Sequence, residues 1–204
     1  MAIAWISSRR SRAVRAKPGL CQRHPLCKKE IQERSVITQQ EAIQNARAHF
    51  LRDDNLYGCG ETTFMTLKDV YDLLDPLDSS PAMVLNGGVA YRGSVCGAIL
   101  GAAMAVGMLA ELHIPDHNQA KRAARLIIAS YMDQFQSSFQ SINCRDLLEL
   151  DLGDELQHQR FIESGIWRTR CIQHIEFAIN KLVNLRDPAT WDPVMRQISQ
   201  PGGL

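Results

Sequence analysis

Apolar residues recur at helical spacing through most of the chain beyond residue 36. Ile37, Ala42, Ile43, Ala46 and Phe50 predict a helix over 37–51, and Thr38 with Glu41 fits a capping box at its start. Phe64, Leu67, Val70 and Leu74 share one face of a second helix over 61–74, which Asp75-Pro76 is expected to end. A short helical stretch over 81–85 stops at Asn86-Gly87-Gly88. A third long helix is expected over 94–112 and a fourth over 119–139, with Ala123, Leu126, Ile127, Tyr131 and Phe135 turned inward. A short helix over 145–150 follows. The stripe Cys171, Ile175, Ala178, Ile179 and Leu182 marks a strong helix over 167–185, and 194–198 adds a final turn. No stretch alternates in the manner of strands joined by hairpins, and no repeat is visible. The expected class is all-α, a single helical bundle around the third helix.

That third helix raises the question of a membrane. The 18 residues between Arg92 and Glu111 carry no charge, close to the roughly 20 apolar residues a spanning helix needs. They are rich in Gly and Ala, however, and acidic, polar helices flank them, so a buried central helix is expected and no membrane span. Gly97, Gly101 and Ala105 fall four apart on one face. A face of small residues admits another backbone or a cofactor at close range.

Charge divides the chain. Residues 1–34 carry nine Lys or Arg and two acids, a net of +7, whereas the rest carries 14 basic and 20 acidic side chains, a net of −6. The formal +1 of the whole therefore gives no reason to expect nucleic acid as a partner. Residues 1–36 read as a disordered basic arm, residues 37–198 as the helical domain and 199–204 as a tail. Ser8-Arg9-Arg10 lacks the apolar segment of a twin-arginine signal, while Arg and Ser without acids suit a transit peptide. Cys21 and Cys27, with His24 between them, are spaced too widely for a zinc knuckle and read as incidental.

The four other cysteines sit at telling places. Cys59 lies in Gly58-Cys59-Gly60, at a turn just ahead of the second helix. Cys96 follows the glycine-rich stretch 86–93 and falls in the first turn of the third helix, and Cys144 starts a short helix. Cys171 is inside the last strong helix, one turn from His174. At a helix start the free N–H groups and the dipole favour thiolate over thiol. Spacings of 37, 48 and 27 residues exclude a compact CxxC module, so any shared site is assembled by tertiary packing. The alternative is four small buried hydrophobes.

At these residues the chain resembles the C_GCAxxG_C_C family of redox-active proteins, defined by four spaced cysteines and a CGAxxG motif. The motif reads Cys96-Gly97-Ala98-Ile99-Leu100-Gly101, and Cys144 in Ile-Asn-Cys-Arg matches the third cysteine. Cys59 matches the first and Cys171 the fourth, although Cys59 stands between glycines where the family shows Asn-Cys-Ala. The resemblance covers about residues 40–185. It implies relation to the helical domain of split-Soret cytochromes, which is dimeric and linked to an iron–sulfur site. Covalent c-type haem is not expected, because no CxxCH occurs.

Three functions follow. In the first, Cys59, Cys96, Cys144 and Cys171 ligate an iron–sulfur cluster for electron transfer, with backbone N–H groups of Gly60, Gly97 and Gly101 tuning it. Zinc is the alternative metal, with His174 able to replace one cysteine, and no metal at all is a further alternative. In the second, the chain is a thiol–disulfide oxidoreductase with Cys96 as nucleophile. In the third, it is a non-catalytic helical dimerisation or binding module. No catalytic triad, zincin motif or nucleotide loop is present, so an enzyme, if this is one, would be an oxidoreductase. Arg92 and Arg145 flank the cysteines and Tyr57 and Tyr91 are candidate shields. The expected partners are a second copy and an unknown redox protein, and the expected location is the cytoplasm.

Overall fold

The computed structural model describes residues 36–73 and 78–199. The basic arm with Cys21 and Cys27, the Leu74 to Pro76 boundary and the terminal Pro201-Gly202-Gly203 lie outside the described residues. Eight α-helices account for most of the rest: α1 (Gln39–Phe50), α2 (Cys59–Val70), α3 (Gly97–His113), α4 (His117–Phe139), α5 (Cys144–Leu148), α6 (Glu155–Glu163), α7 (Ile172–Leu182) and α8 (Asp192–Ile198). Among the described residues there is no strand, and the only ladder contact is an isolated bridge between Val95 and Asn143. The fold is all-α, and no described helix is long and apolar enough to cross a membrane.

Local chemistry starts the helices where the sequence indicates. Thr38 and Glu41 form the capping box of α1. Asp116 caps α4 by accepting from the Gln119 N–H at 2.8 Å, two residues earlier than the apolar pattern begins. Helix α2 departs from expectation. It opens at Cys59 rather than Glu61, because Glu61 reaches back to the Gly58 N–H at 3.0 Å, and it ends at Val70.

Helices α2 and α3 are the buried axis. α3 packs closely along α2 and, on its other side, against α4, while α1 and α7 complete the bundle around α2. Glycine makes the α2–α3 approach possible. A Cβ on Gly101 would overlap the Gly60 carbonyl oxygen, and one on Gly97 would stand 2.8 Å from the Leu85 carbonyl oxygen. The small-residue face is thus filled by α2 of the same chain, which removes it as a surface for dimer packing. Leu126 and Ile127 are only partly buried rather than inward, and they border a surface groove with Leu185 and Val194.

The expected helix over 167–185 is three pieces. Trp167–Cys171 is π-helical, Ile172–Leu182 is α-helical and Val183–Arg186 is a 3₁₀ turn. A π stretch inserts an extra residue per turn and so rotates the side chains ahead of it relative to the α7 stripe. Helix α6 has no counterpart among the expected elements; none of its residues is fully buried, and Phe161 packs against the core.

Candidate redox site

Four separate elements bring the cysteines together. Cys59 is the first residue of α2 and Cys96 the N-cap of α3. Cys144 opens α5, and Cys171 ends the π-helical stretch. The isolated bridge explains half of this convergence. Cys96 N–H donates to the Ile142 carbonyl at 2.8 Å, and Cys144 N–H donates to the Ser94 carbonyl at 2.7 Å. Two helix starts 48 residues apart are thereby clamped side by side. The Gly60–Gly97 contact sets the α2 start against the α3 start in the same way: a Cβ on Gly97 would lie 2.7 Å from the Cys59 sulfur.

All four thiols are free and buried. Cys59, Cys144 and Cys171 line a cavity of about 60 Å³ walled by Phe50, Tyr91, Phe161 and Trp167, room for a few waters at most. Cys96 stands behind Cys59 and hydrogen-bonds to it. Trp167 is held edge-on by Phe50 at 5.5 Å between ring centres, and the Arg168 guanidinium lies 4.3 Å over its ring. Arg168 in turn donates to the Leu51 carbonyl at 3.2 Å and to Asp53 at 3.1 Å, so the aromatic wall is fastened to the end of α1.

Electrostatics separates the four sulfurs. Cys59 is pulled below its ordinary pKa, first by the Cys96 thiol and then by the backbone N–H groups of Gly87, Gly60 and Cys59 itself, against the cost of burial. Cys96 is pushed well up, first because its thiol is the donor in that bond and then by burial. Burial pushes Cys144 up to about 12 and Cys171 well above the normal range. The three helix-start placements are therefore real, but only Cys59 gains thiolate character from its place. Of this coupled pair, Cys59 is the thiol whose pKa is lowered and Cys96, the nucleophile expected from the sequence, the one whose pKa is raised.

The turn over the site is unusual. Gly87, Gly88, Val89, Ala90 and Tyr91 all have φ between +50° and +69°. Left-handed backbone costs L-residues about 1–2 kcal/mol each, and Val89 is β-branched. Its run of N–H groups begins at Gly87, which points at the Cys59 sulfur, and ends at Tyr91, which lines the cavity. His158 rests on the outer side of Tyr91, 4.7 Å between ring centres.

Other sequence candidates are placed elsewhere. His174 is buried against Phe135 and Phe139 and borders a different cavity, with Asp146 and Arg170. Burial, and then Arg170, lowers its pKa to about 4. It takes no part in the cysteine cavity, so the zinc arrangement with His174 as fourth ligand has no support in the geometry. Tyr57 packs on His49, and Arg145 pairs with Asp151 at 2.9 Å. Gly101 serves helix packing, whereas the Gly60 N–H donates to the Asn86 side-chain oxygen at 2.9 Å beside the Cys59 sulfur. Glu61, Asn86 and Trp167 are site residues that spacing alone did not reveal. Glu61 lies 25 positions from Asn86, to which it bonds at 2.9 Å.

Four buried thiols, three of them lining one aromatic-walled cavity, give this all-α bundle a cysteine site. A family model described as "Putative redox-active protein (C_GCAxxG_C_C)" matches residues 57–185, a span holding all four of these cysteines. The chain belongs to that redox-active family. No curated protein and no solved structure matches it.

Proposed function

We propose that this is an electron-transfer protein in which Cys59, Cys96, Cys144 and Cys171 hold an iron–sulfur cluster. One observation carries the reading. Four thiols from four elements are brought together, three of them lining one cavity and the fourth against Cys59, whereas disulfide chemistry would need two. The donor set fits, since cysteine thiolates in fours are the usual ligands of such clusters. Among the described residues no group of three or more Cys, His, Asp or Glu side chains is placed to hold a metal ion. Three of the thiols face the cavity and Cys96 stands behind Cys59, so the reading rests on the donor set rather than on a preformed metal site.

When bound, the cluster supplies a one-electron couple. The protein supplies the rest. Phe50, Tyr91, Phe161 and Trp167 wall the cavity. The N–H groups of Gly87 and Gly60 stabilise negative charge on the Cys59 sulfur. Cys96, Cys144 and Cys171 are protonated thiols at neutral pH without a cation, so loading releases protons and strengthens as pH rises. Purification without oxygen should give a brown protein with visible absorbance that bleaches on reduction. A colourless protein overturns the reading.

The Cys59–Cys96 contact favours a second reading, a dithiol centre. The Cys59 thiolate attacks a partner disulfide and expels one partner thiolate. Cys96, after losing its proton, then attacks the Cys59 sulfur of the mixed disulfide and releases the second partner thiol. A Cys59–Cys96 disulfide remains, and two electrons have passed to the partner. Mass spectrometry of the air-oxidised protein would show that bond and no other.

A further inference from the structure

Behind Cys59 lies a buried polar network that the redox reading does not use. Glu61, two residues into α2 from Cys59, is 8% exposed. Its carboxylate accepts from the Ser79 hydroxyl at 2.9 Å, from the Gly58 N–H at 3.0 Å and from the Asn86 side-chain amide at 2.9 Å. Asn86 gives its second amide proton to the Met83 carbonyl at 3.1 Å. Both of these acceptors can face only the amide nitrogen, which fixes the orientation of the group. The Asn86 carbonyl oxygen is thereby aimed the other way. It accepts the Gly60 N–H at 2.9 Å and the Cys59 thiol at 3.9 Å. The fit leaves no slack, because a Cβ on Gly58 would overlap the Asn86 amide.

Asn86 is also the last residue before the left-handed turn. Its main-chain carbonyl accepts the Tyr91 N–H at 3.3 Å, closing the turn on itself. One residue therefore touches the sulfur with its side chain and fastens both ends of the segment that covers it. A backbone run held in a disfavoured conformation needs such a fastening at its entrance.

We infer that Asn86, locked in orientation by Glu61, is a positioning residue of the redox centre, holding the Cys59 sulfur at the cavity wall and pinning the turn over it. The inference rests on Cys59 belonging to that centre. It assigns Asn86 no ligand role.

The test uses the full chain purified without oxygen. Iron and sulfide are measured first, which bears on the cluster alone. The rate of alkylation by iodoacetamide is then read at each cysteine by peptide mass spectrometry. Asn86→Ala should raise the Cys59 rate about tenfold, as expected when a local cover opens, and leave Cys144 and Cys171 within about twofold. Glu61→Gln, which disturbs the lock but keeps the shape, should move the same thiol by about threefold. It carries the test should Asn86→Ala not fold. Unchanged Cys59 rates in both variants overturn the inference. So does an equal rise at all four cysteines, which would make Asn86 a support of the fold only. A selective rise at Cys59 in a protein that holds no iron upholds the inference while removing the cluster reading.

Discussion

The thiol of Cys96 donates its hydrogen to the sulfur of Cys59, and the two residues open neighbouring buried helices. This bond is the first cause of the low pKa of Cys59. Cys96→Ala should therefore shift the pH midpoint of Cys59 alkylation upward, whereas Cys96→Ser keeps an O–H donor and should stay near wild type. The pH dependence of the alkylation rate, followed at Cys59, distinguishes them. Equal midpoints in both variants would assign the effect to the backbone N–H groups.

His174 makes the fold acid-sensitive. Its pKa falls from 6.5 to about 4 in the folded state, so the unfolded chain binds the proton more tightly. Stability from this residue is fully present above pH 6.5 and is lost as pH falls towards 4, by an amount on the order of 3 kcal/mol. The thermal midpoint of wild type should fall through that window, and His174→Leu should flatten the fall. Parallel curves would contradict the assignment.

Two glycines of α3 should respond in opposite directions. Gly101→Ala drives a methyl into the Gly60 backbone and should cost about 3 kcal/mol or more, since the axis helices must separate. Gly107 is exposed, and nothing lies within 4 Å of its Cβ position. Gly107→Ala should stabilise by about 0.5–1 kcal/mol. Urea unfolding of the two variants provides the check.

Val89 has φ of +61° and is partly exposed. Val89→Gly removes the left-handed penalty of a β-branched residue and should raise stability by about 1 kcal/mol, offset in part by unfolded-state entropy. A lower thermal midpoint would show that the Val89 side chain contributes packing that outweighs the strain.

The helices were legible where one turn of sequence contains its own signal, as in the Thr38–Glu41 box and the α7 stripe. Cysteine placement was legible too: three do start helices. Other features depend on partners far along the chain. The α2 start is made by Glu61 reaching back to Gly58, where the glycines alone suggest a turn. The π stretch at Trp167–Cys171 leaves the apolar stripe of α7 intact, so periodicity cannot report it. Gly87 and Gly88 mark a turn, but Val89, Ala90 and Tyr91 follow them into left-handed space against their own preference. The order of the thiol pKa values was not legible for a similar reason: helix position acts on each sulfur alone, whereas the contact between Cys59 and Cys96 lowers one and raises the other.

The central claim is that the four cysteines act as one set. Iron and acid-labile sulfide per chain, measured after purification without oxygen in wild type and in Cys59→Ser, Cys96→Ser, Cys144→Ser and Cys171→Ser, test it most directly. The account predicts near-equal amounts of iron and sulfide in wild type and severe loss of both in every variant. Wild type without iron, or Cys144→Ser and Cys171→Ser retaining full iron and sulfide, would contradict it.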